Sequence, residues 1–270
     1  HNTLKKFITR AIFGLLYAAV IVYSLAFEIT IFHLLIGFFA ALGIHEIYSM
    51  LFKNSREHFV MFVIDAVAAW AIISSAGMGI LWPAMAALAV RMIAQVISKG
   101  EALEELKCSA LALTYVAAPF AALSACLNFR DGNYFVLLVF CFIWVSDTGA
   151  YMVGSLIGKH KMCPRISPKK SWEGLAGGLA LCAIVGFLLP IVWPYIFGTE
   201  MVFTRFIVPV IGVVVGVFAT FGDLVESLIK RSVGVKDSGQ FLPGHGGLLD
   251  RVDSLLLVAP AVYALLAICD

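Results

Sequence analysis

Long apolar runs follow one another along this chain, broken by short polar stretches that hold most of its charge. Nine runs have or approach spanning length: roughly 7–27, 29–51, 58–76, 78–98, 105–127, 133–157, 172–193, 203–230 and 250–269. A membrane helix needs about 20 apolar residues, whereas a barrel strand needs about 10 of alternating polarity. These runs are continuous, so they predict helices. A helix also satisfies its own backbone N–H and C=O groups where no water can. The expected fold is all-α: a polytopic integral membrane bundle of about nine transmembrane helices. The eighth run is the longest and is expected to project beyond the bilayer. No transporter-like repeat stands out.

Composition extends this reading to the whole chain. Of its 270 residues, 61% are hydrophobic and 13% charged, with mean hydropathy +0.98. A soluble domain carries about 25% charged residues. Six scattered cysteines show no CxxC pair, so they read as small core residues rather than disulfide or zinc partners. The opening His1-Asn2-Thr3 reads as a remnant ahead of the native chain, and no cleavable signal peptide is evident.

Charge placement says more than the formal net charge of +2. With a cytoplasmic N-terminus, the inner segments collect Lys5, Lys6, Arg10, Lys53, Arg56, Lys99 and Lys107. They also collect Lys159, Lys161, Arg165, Lys169, Lys170, Lys230, Arg231, Lys236 and Arg251. Only Arg130 and Arg205 fall outside, and Arg91 lies within a span. The asymmetry predicts N-terminus in and C-terminus out. In that topology Glu46, Asp65, Arg91, Asp147, Asp223 and Glu226 all lie in the cytoplasmic half. Ionised groups there mark function unless they pair. For Glu46, Asp65 and Arg91, a structural pair such as Arg91 with Asp65 or Glu46 is an equal alternative.

The most informative stretch is 227–253, SLIKRSVGVKDSGQFLPGHGGLLDRVD. Just before and within it, Asp223, Glu226, Ser227 and Lys230 share one helical face. Gly234, Gly239, Gly244, Gly246 and Gly247 then allow backbone amides to approach phosphate oxygens closely. Asp250, Arg251 and Asp253 open the ninth helix, where N–H donors and the helix dipole favour anions. Carboxylates among basic residues and a glycine loop suit Mg²⁺ shared between protein and phosphates. Nucleotidyl transfer needs in-line positioning and charge neutralisation more than covalent help. Singly, each feature has a plain alternative: topogenic charge, a loop histidine, a turn glycine, a helix cap.

As one string they resemble the signature of the phosphatidate cytidylyltransferase (CDP-diacylglycerol synthase) family, bacterial type. The matching positions are Ser227, Lys230-Arg231, Lys236-Asp237, His245-Gly246-Gly247, Asp250-Arg251 and Asp253. A second block, Ser146 to Tyr151 and Ile166 to Gly174, is similar to the same family. The resemblance covers about 130–270. It implies that the phosphate of phosphatidic acid attacks the α-phosphorus of CTP, giving CDP-diacylglycerol and pyrophosphate at a cytoplasmic Mg²⁺ site. A second, monovalent cation is left open.

On this reading Asp223 and Asp250 are the principal metal ligands, with Asp147 and Asp253 supporting. Lys230, Arg231 and Lys236 supply catalytic counter-charge. Lys170, Lys169, Arg165, His245, Gly246, Gly247, Arg251 and Ser227 contact substrate. Trp172 reads as an interfacial anchor. The expected regions are N-terminal helices over 1–130 (about five spans) and a catalytic region over 131–270 (about four spans, two basic loops). Expected surroundings are the bacterial inner membrane, CTP and phosphatidic acid, with no nucleic acid. Gly174, Gly177 and Gly178 could pack helices in a homodimer or within one chain. The rivals are a CTP-dependent polyprenol or phytol kinase and an ion-coupled transporter. The complete signature argues against the first, and acids gathered on one side argue against the second.

Overall fold

The computed structural model describes residues 2–52, 58–76, 81–98, 101–198, 200–201, 206–239 and 246–269. The helices are α1 (Asn2–Phe27), α2 (Ile29–Leu51), α3 (Phe59–Ser74), α4 (Leu81–Ile97) and α5 (Ala102–Leu111). They continue as α6 (Ala118–Cys126), α7 (Gly132–Ile157), α8 (Trp172–Phe197), α9 (Ile207–Ser232) and α10 (Leu249–Cys269). A π-helical turn, Ala112–Ala117, joins α5 and α6 into one rod. Pro119 lies just beyond it. A proline has no N–H to donate and crowds the carbonyl one turn back, so the ladder widens there without breaking.

Helices thus occur at all nine apolar runs, and the architecture is that of an all-α, multi-pass membrane bundle. Among the described residues, six helical segments are long and apolar enough to cross a membrane: α2, the α5–α6 rod, α7, α8, α9 and α10. Shorter apolar stretches among the described residues are Gly14–Phe27, Phe59–Ser74 and Pro83–Ile97. One feature departs from the all-helical expectation. Strands β1 (Lys161–Cys163) and β2 (Ser167–Ser171) pair antiparallel, Lys161 opposite Ser171, where the sequence reads as a basic loop. Both strands are short and β2 is polar, without the apolar alternation that announces a strand.

The chain forms two compact units. One comprises His1–Tyr134 with Ser232–Val252, the other Phe135–Arg231 with Asp253–Asp270. In the first, α2 buries a stripe of Phe32, Ile36, Ala40, Ile44 and Ile47, spaced at helical period. Gly37 lets the ring of Trp70 lie against the α2 backbone, where a side chain would overlap it.

The first unit also holds a buried polar network. Asp65, fully buried, accepts from the Tyr48 hydroxyl at 2.6 Å and the Ser109 hydroxyl at 2.7 Å. The Arg91 Nε lies 3.3 Å from Asp65 Oδ1. Arg91 also donates to Gln95 Oε1 at 2.6 Å and to the Glu105 carbonyl at 3.2 Å. The Glu105 carboxylate in turn binds Gln95 at 2.6 Å and His58 at 2.7 Å. Of the alternatives raised for these embedded charges, the structural pair of Arg91 with Asp65 is the one formed. Glu46 takes no part in it.

In the second unit small residues bring backbones together. Gly149 of α7 lies against Gly177 and Gly178 of α8, and Gly174 lies against Ala150 and Gly154. Gly174, Gly177 and Gly178 therefore pack α8 on α7 within one chain. Gly186 faces Pro209 of α9, and Gly222 of α9 sits on the backbone of Asp253 and Ser254 in α10.

Removing one partner of a buried ion pair leaves the other uncompensated, at about 3–5 kcal/mol. Arg91→Met is expected to lower stability by that amount in a denaturation series in detergent. Adding Asp65→Leu should recover part of the loss, because the stranded carboxylate goes too.

Candidate functional site

The basic hairpin is held to the start of α8 by local bonds. Ser171 caps the helix by accepting from the Gly174 N–H at 3.2 Å. Glu173, in the first turn, accepts the His160 N–H at 3.2 Å and pairs with His160 Nδ1 at 2.5 Å. A carboxylate in the first helical turn is also favoured by the dipole. The Trp172 N–H donates to the His160 carbonyl at 2.9 Å. Beside this junction is a wide depression of about 870 Å³, lined by Lys159, His160, Lys161, Pro164, Trp172, Glu173 and Ala176.

Successive strand residues face opposite ways, and β2 uses this to separate two adjacent lysines. Lys169 is exposed while Lys170 is half-buried. The Lys170 ammonium lies 2.8 Å from Asp223 Oδ2 and donates to the Thr220 carbonyl at 2.8 Å, both on α9. Ser227, one turn on from Asp223, donates to its Oδ1 at 3.3 Å. Asp147 on α7 and Asp253 on α10 lie within electrostatic reach of both Asp223 and Lys170. The close approach at Gly222 brings the α10 backbone at Asp253 against α9. Three of the four acids singled out as metal ligands thus gather around one lysine.

Further along α9, Lys230 pairs with Glu226 at 2.5 Å, and both side chains are buried. The ammonium read as catalytic counter-charge is engaged within its own helix. Arg231 is exposed, as is Arg165 on the hairpin.

The rest of the signature belongs to the first unit. Lys236, Asp237 and Arg251 are exposed. Gly246 adopts φ 82°, a conformation glycine holds without strain. Asp250 Oδ2 accepts the Gly247 N–H at 2.8 Å and the Ser238 N–H at 3.1 Å. That oxygen is committed to shaping the loop. His245 lies outside the described residues. Two features escaped the sequence reading: the strand pairing that divides Lys169 from Lys170, and the bonding of Glu46 to this loop. The one signal for Glu46 was a carboxylate inside an apolar helix.

Oxygen donors suit hard divalent cations, and Mg²⁺ uses one or two carboxylates with substrate phosphates instead of an all-protein cage. Among the described residues, no three His, Cys, Asp or Glu side chains form such a cage. Asp223 with a neighbouring acid, Asp147 or Asp253, fits the partial, phosphate-completed kind of site.

Fold and site together define a multi-pass helical membrane protein with a carboxylate–lysine cluster in one unit and a glycine loop in the other. Residues 8–269 match the model of the cytidylyltransferase family, and the chain belongs to that family. It is similar to phosphatidate cytidylyltransferases of Staphylococcus haemolyticus (45% identical over 136 residues) and Staphylococcus epidermidis (46% over 136). The same length is 43% identical to the enzyme of that name from Staphylococcus aureus. Each match covers 50% of this chain and 50% of the relative, so the chain spans about half the length of the curated relatives it matches.

The Glu173 bonds make the hairpin a local unit that one substitution can loosen. Glu173→Gln is expected to raise the rate of limited tryptic cleavage after Lys159, Lys161 and Arg165 a few-fold. Cleavage sites elsewhere should keep their rates, as followed by mass spectrometry.

Proposed function

We propose that the chain transfers the cytidylyl group of CTP to phosphatidic acid, giving CDP-diacylglycerol and pyrophosphate. The observation that carries this reading is the cluster of Asp147, Asp223 and Asp253 around Lys170, in a chain of the cytidylyltransferase family. The names of the staphylococcal relatives point to the same lipid substrate.

In this reaction a phosphate oxygen of phosphatidic acid forms a bond to the α-phosphorus of CTP. The bond from that phosphorus to the bridging oxygen of the β-phosphate breaks, and pyrophosphate leaves with the electron pair. No general base is needed, since the attacking phosphate is already ionised near neutral pH. The chain must hold two polyanions in line and offset their charge.

Lys170, anchored by the Thr220 carbonyl, keeps Asp223 in place and sets a positive charge beside the reacting phosphates. Asp223, with one of its neighbours Asp147 and Asp253, would hold magnesium, which when bound would supply charge to offset the departing pyrophosphate. Asp250 is a proposed ligand on the motif alone and is tested separately. Lys169, Arg165, Arg231, Lys236 and Arg251 supply surface cation to draw the nucleotide from water. Gly246 offers its backbone amide to phosphate oxygens, beside Gly247, whose own amide is held by Asp250.

The proposed setting is the bacterial inner membrane with nine spans, the N-terminus and the site facing the cytoplasm. There CTP arrives from water while phosphatidic acid presents its phosphate at headgroup level.

Purified protein in detergent, given phosphatidic acid and CTP labelled at the α-phosphorus, is expected to move label into the organic phase. Transfer should stop on addition of EDTA. Asp223→Asn and Asp250→Asn should each lose about 100-fold or more in rate. Activity surviving in either variant removes that carboxylate from the mechanism. If label enters lipid only from γ-labelled CTP with a polyprenol acceptor, the protein is a kinase.

A further inference from the structure

Glu46 lies in the last turns of α2, on an apolar helix, and is 5% exposed. A carboxylate so placed is costly unless its oxygens are fully bonded. Every bond given to it comes from a segment about 200 residues away. Oε1 accepts the Leu248 N–H at 2.6 Å, and Oε2 accepts the Leu249 N–H at 2.9 Å. Oε2 also accepts the Ser238 hydroxyl at 2.8 Å.

Leu249 opens α10 and Leu248 immediately precedes it, where the first N–H groups have no acceptor within the helix. Glu46 supplies that acceptor from another helix and sets a negative charge where the dipole favours one. Ser238 sits at the other end of the glycine segment. Its hydroxyl lies 3.1 Å from Asp250 Oδ2, which itself accepts from Ser238 and Gly247 backbone N–H groups. One hydroxyl and two carboxylates therefore draw residues 238 and 247 together and close the loop at its neck. The close fit needs glycine: a side chain at Gly247 would occupy the space of the Ser238 hydroxyl and the Glu46 carboxylate.

We infer that Glu46 is a positioning residue for the nucleotide phosphates, acting through the glycine loop whose neck it holds. It lies outside the 227–253 signature and touches no substrate itself. The inference rests on the function proposed above, in which Gly246, next to the amide of Gly247 that Asp250 holds, receives phosphate. Loosening the neck then weakens nucleotide binding and leaves lipid binding alone.

Glu46→Gln keeps the size of the side chain but replaces one accepting oxygen with an NH₂ group, which meets a backbone N–H as donor against donor. In the full chain reconstituted with phosphatidic acid, KM for CTP is expected to rise about 10-fold, the scale of lost support to a binding group. kcat and KM for phosphatidic acid should stay within about 3-fold. Amide hydrogen exchange at Leu248 and Leu249 should quicken about 10-fold, while α3 and α4 keep their protection. Should Glu46→Gln not be recovered folded, Ser238→Ala carries the same test, with a rise of about 3-fold in KM for CTP.

Unchanged exchange at Leu248 and Leu249 would overturn the cap. Faster exchange with an unchanged KM for CTP would leave Glu46 a purely structural residue and overturn the positioning role. A wild-type protein that transfers no cytidylyl group sinks the nucleotide role together with the reading it rests on, and the exchange result alone then decides the cap.

Discussion

A charge within an apolar helix must find its partners nearby, and in this chain most of the tertiary specificity follows from that demand. Apolar packing in lipid is weakly directional, since lipid tails compete on equal terms with leucine. Carboxylates are not so permissive. Asp65 accepts from Tyr48 and Ser109 and pairs with Arg91, so α2, α3, α4 and α5 have a shared register point. Asp223 is met by Lys170 from the hairpin and by Ser227 from its own helix. Each acid thus works as a peg whose holes lie on other elements. What separates a structural peg from a functional one is exposure. Asp65 is sealed and satisfied, whereas Asp223 and Asp147 are not buried.

Glycine supplies the complementary device. Where α7 meets α8 and where α9 meets α10, the missing side chains let backbones touch, and acids on adjacent helices come within range of each other. The cluster around Lys170 depends on this as much as on its own charges. Asp253 would stand farther from Asp223 if residue 222 carried a side chain, because that side chain would strike the Asp253 carbonyl. Small residues and acids are therefore parts of one arrangement in the second unit.

Much of this was legible in the sequence. Continuous apolar runs located every long helix, because 20 apolar residues in series leave the chain little choice. Asp147, Asp223 and Asp253 were singled out from charge in apolar surroundings and from the motif, and Lys170 from its place before a helix. The Arg91–Asp65 pair could be named but not decided, since hydropathy fixes depth and leaves rotation about the helix axis open. The β1–β2 hairpin was hidden because Ser-Pro-Lys-Lys-Ser lacks apolar alternation, so the opposed fates of Lys169 and Lys170 were hidden too. The engagement of Lys230 by Glu226 lay in plain i,i+4 spacing and was outweighed by the motif. Glu46 could be singled out as a charge in an apolar helix but its donors could not be named, because nothing local tells a carboxylate that they lie 192 to 203 residues away.

That separation has a consequence for how the molecule is made. Helix α2 emerges well before α10, and its acceptor then waits for donors not yet joined to the chain. At about 5–20 residues per second, some 200 residues take about 10–40 s to add. Through that interval a carboxylate sits among apolar helices without the amides that will receive it. The neck of the glycine loop can close only when α10 arrives, so a ribosome that stalls before α10 leaves α2 and its carboxylate with no finished loop. A segment translated later completes a bond begun some 200 residues before it.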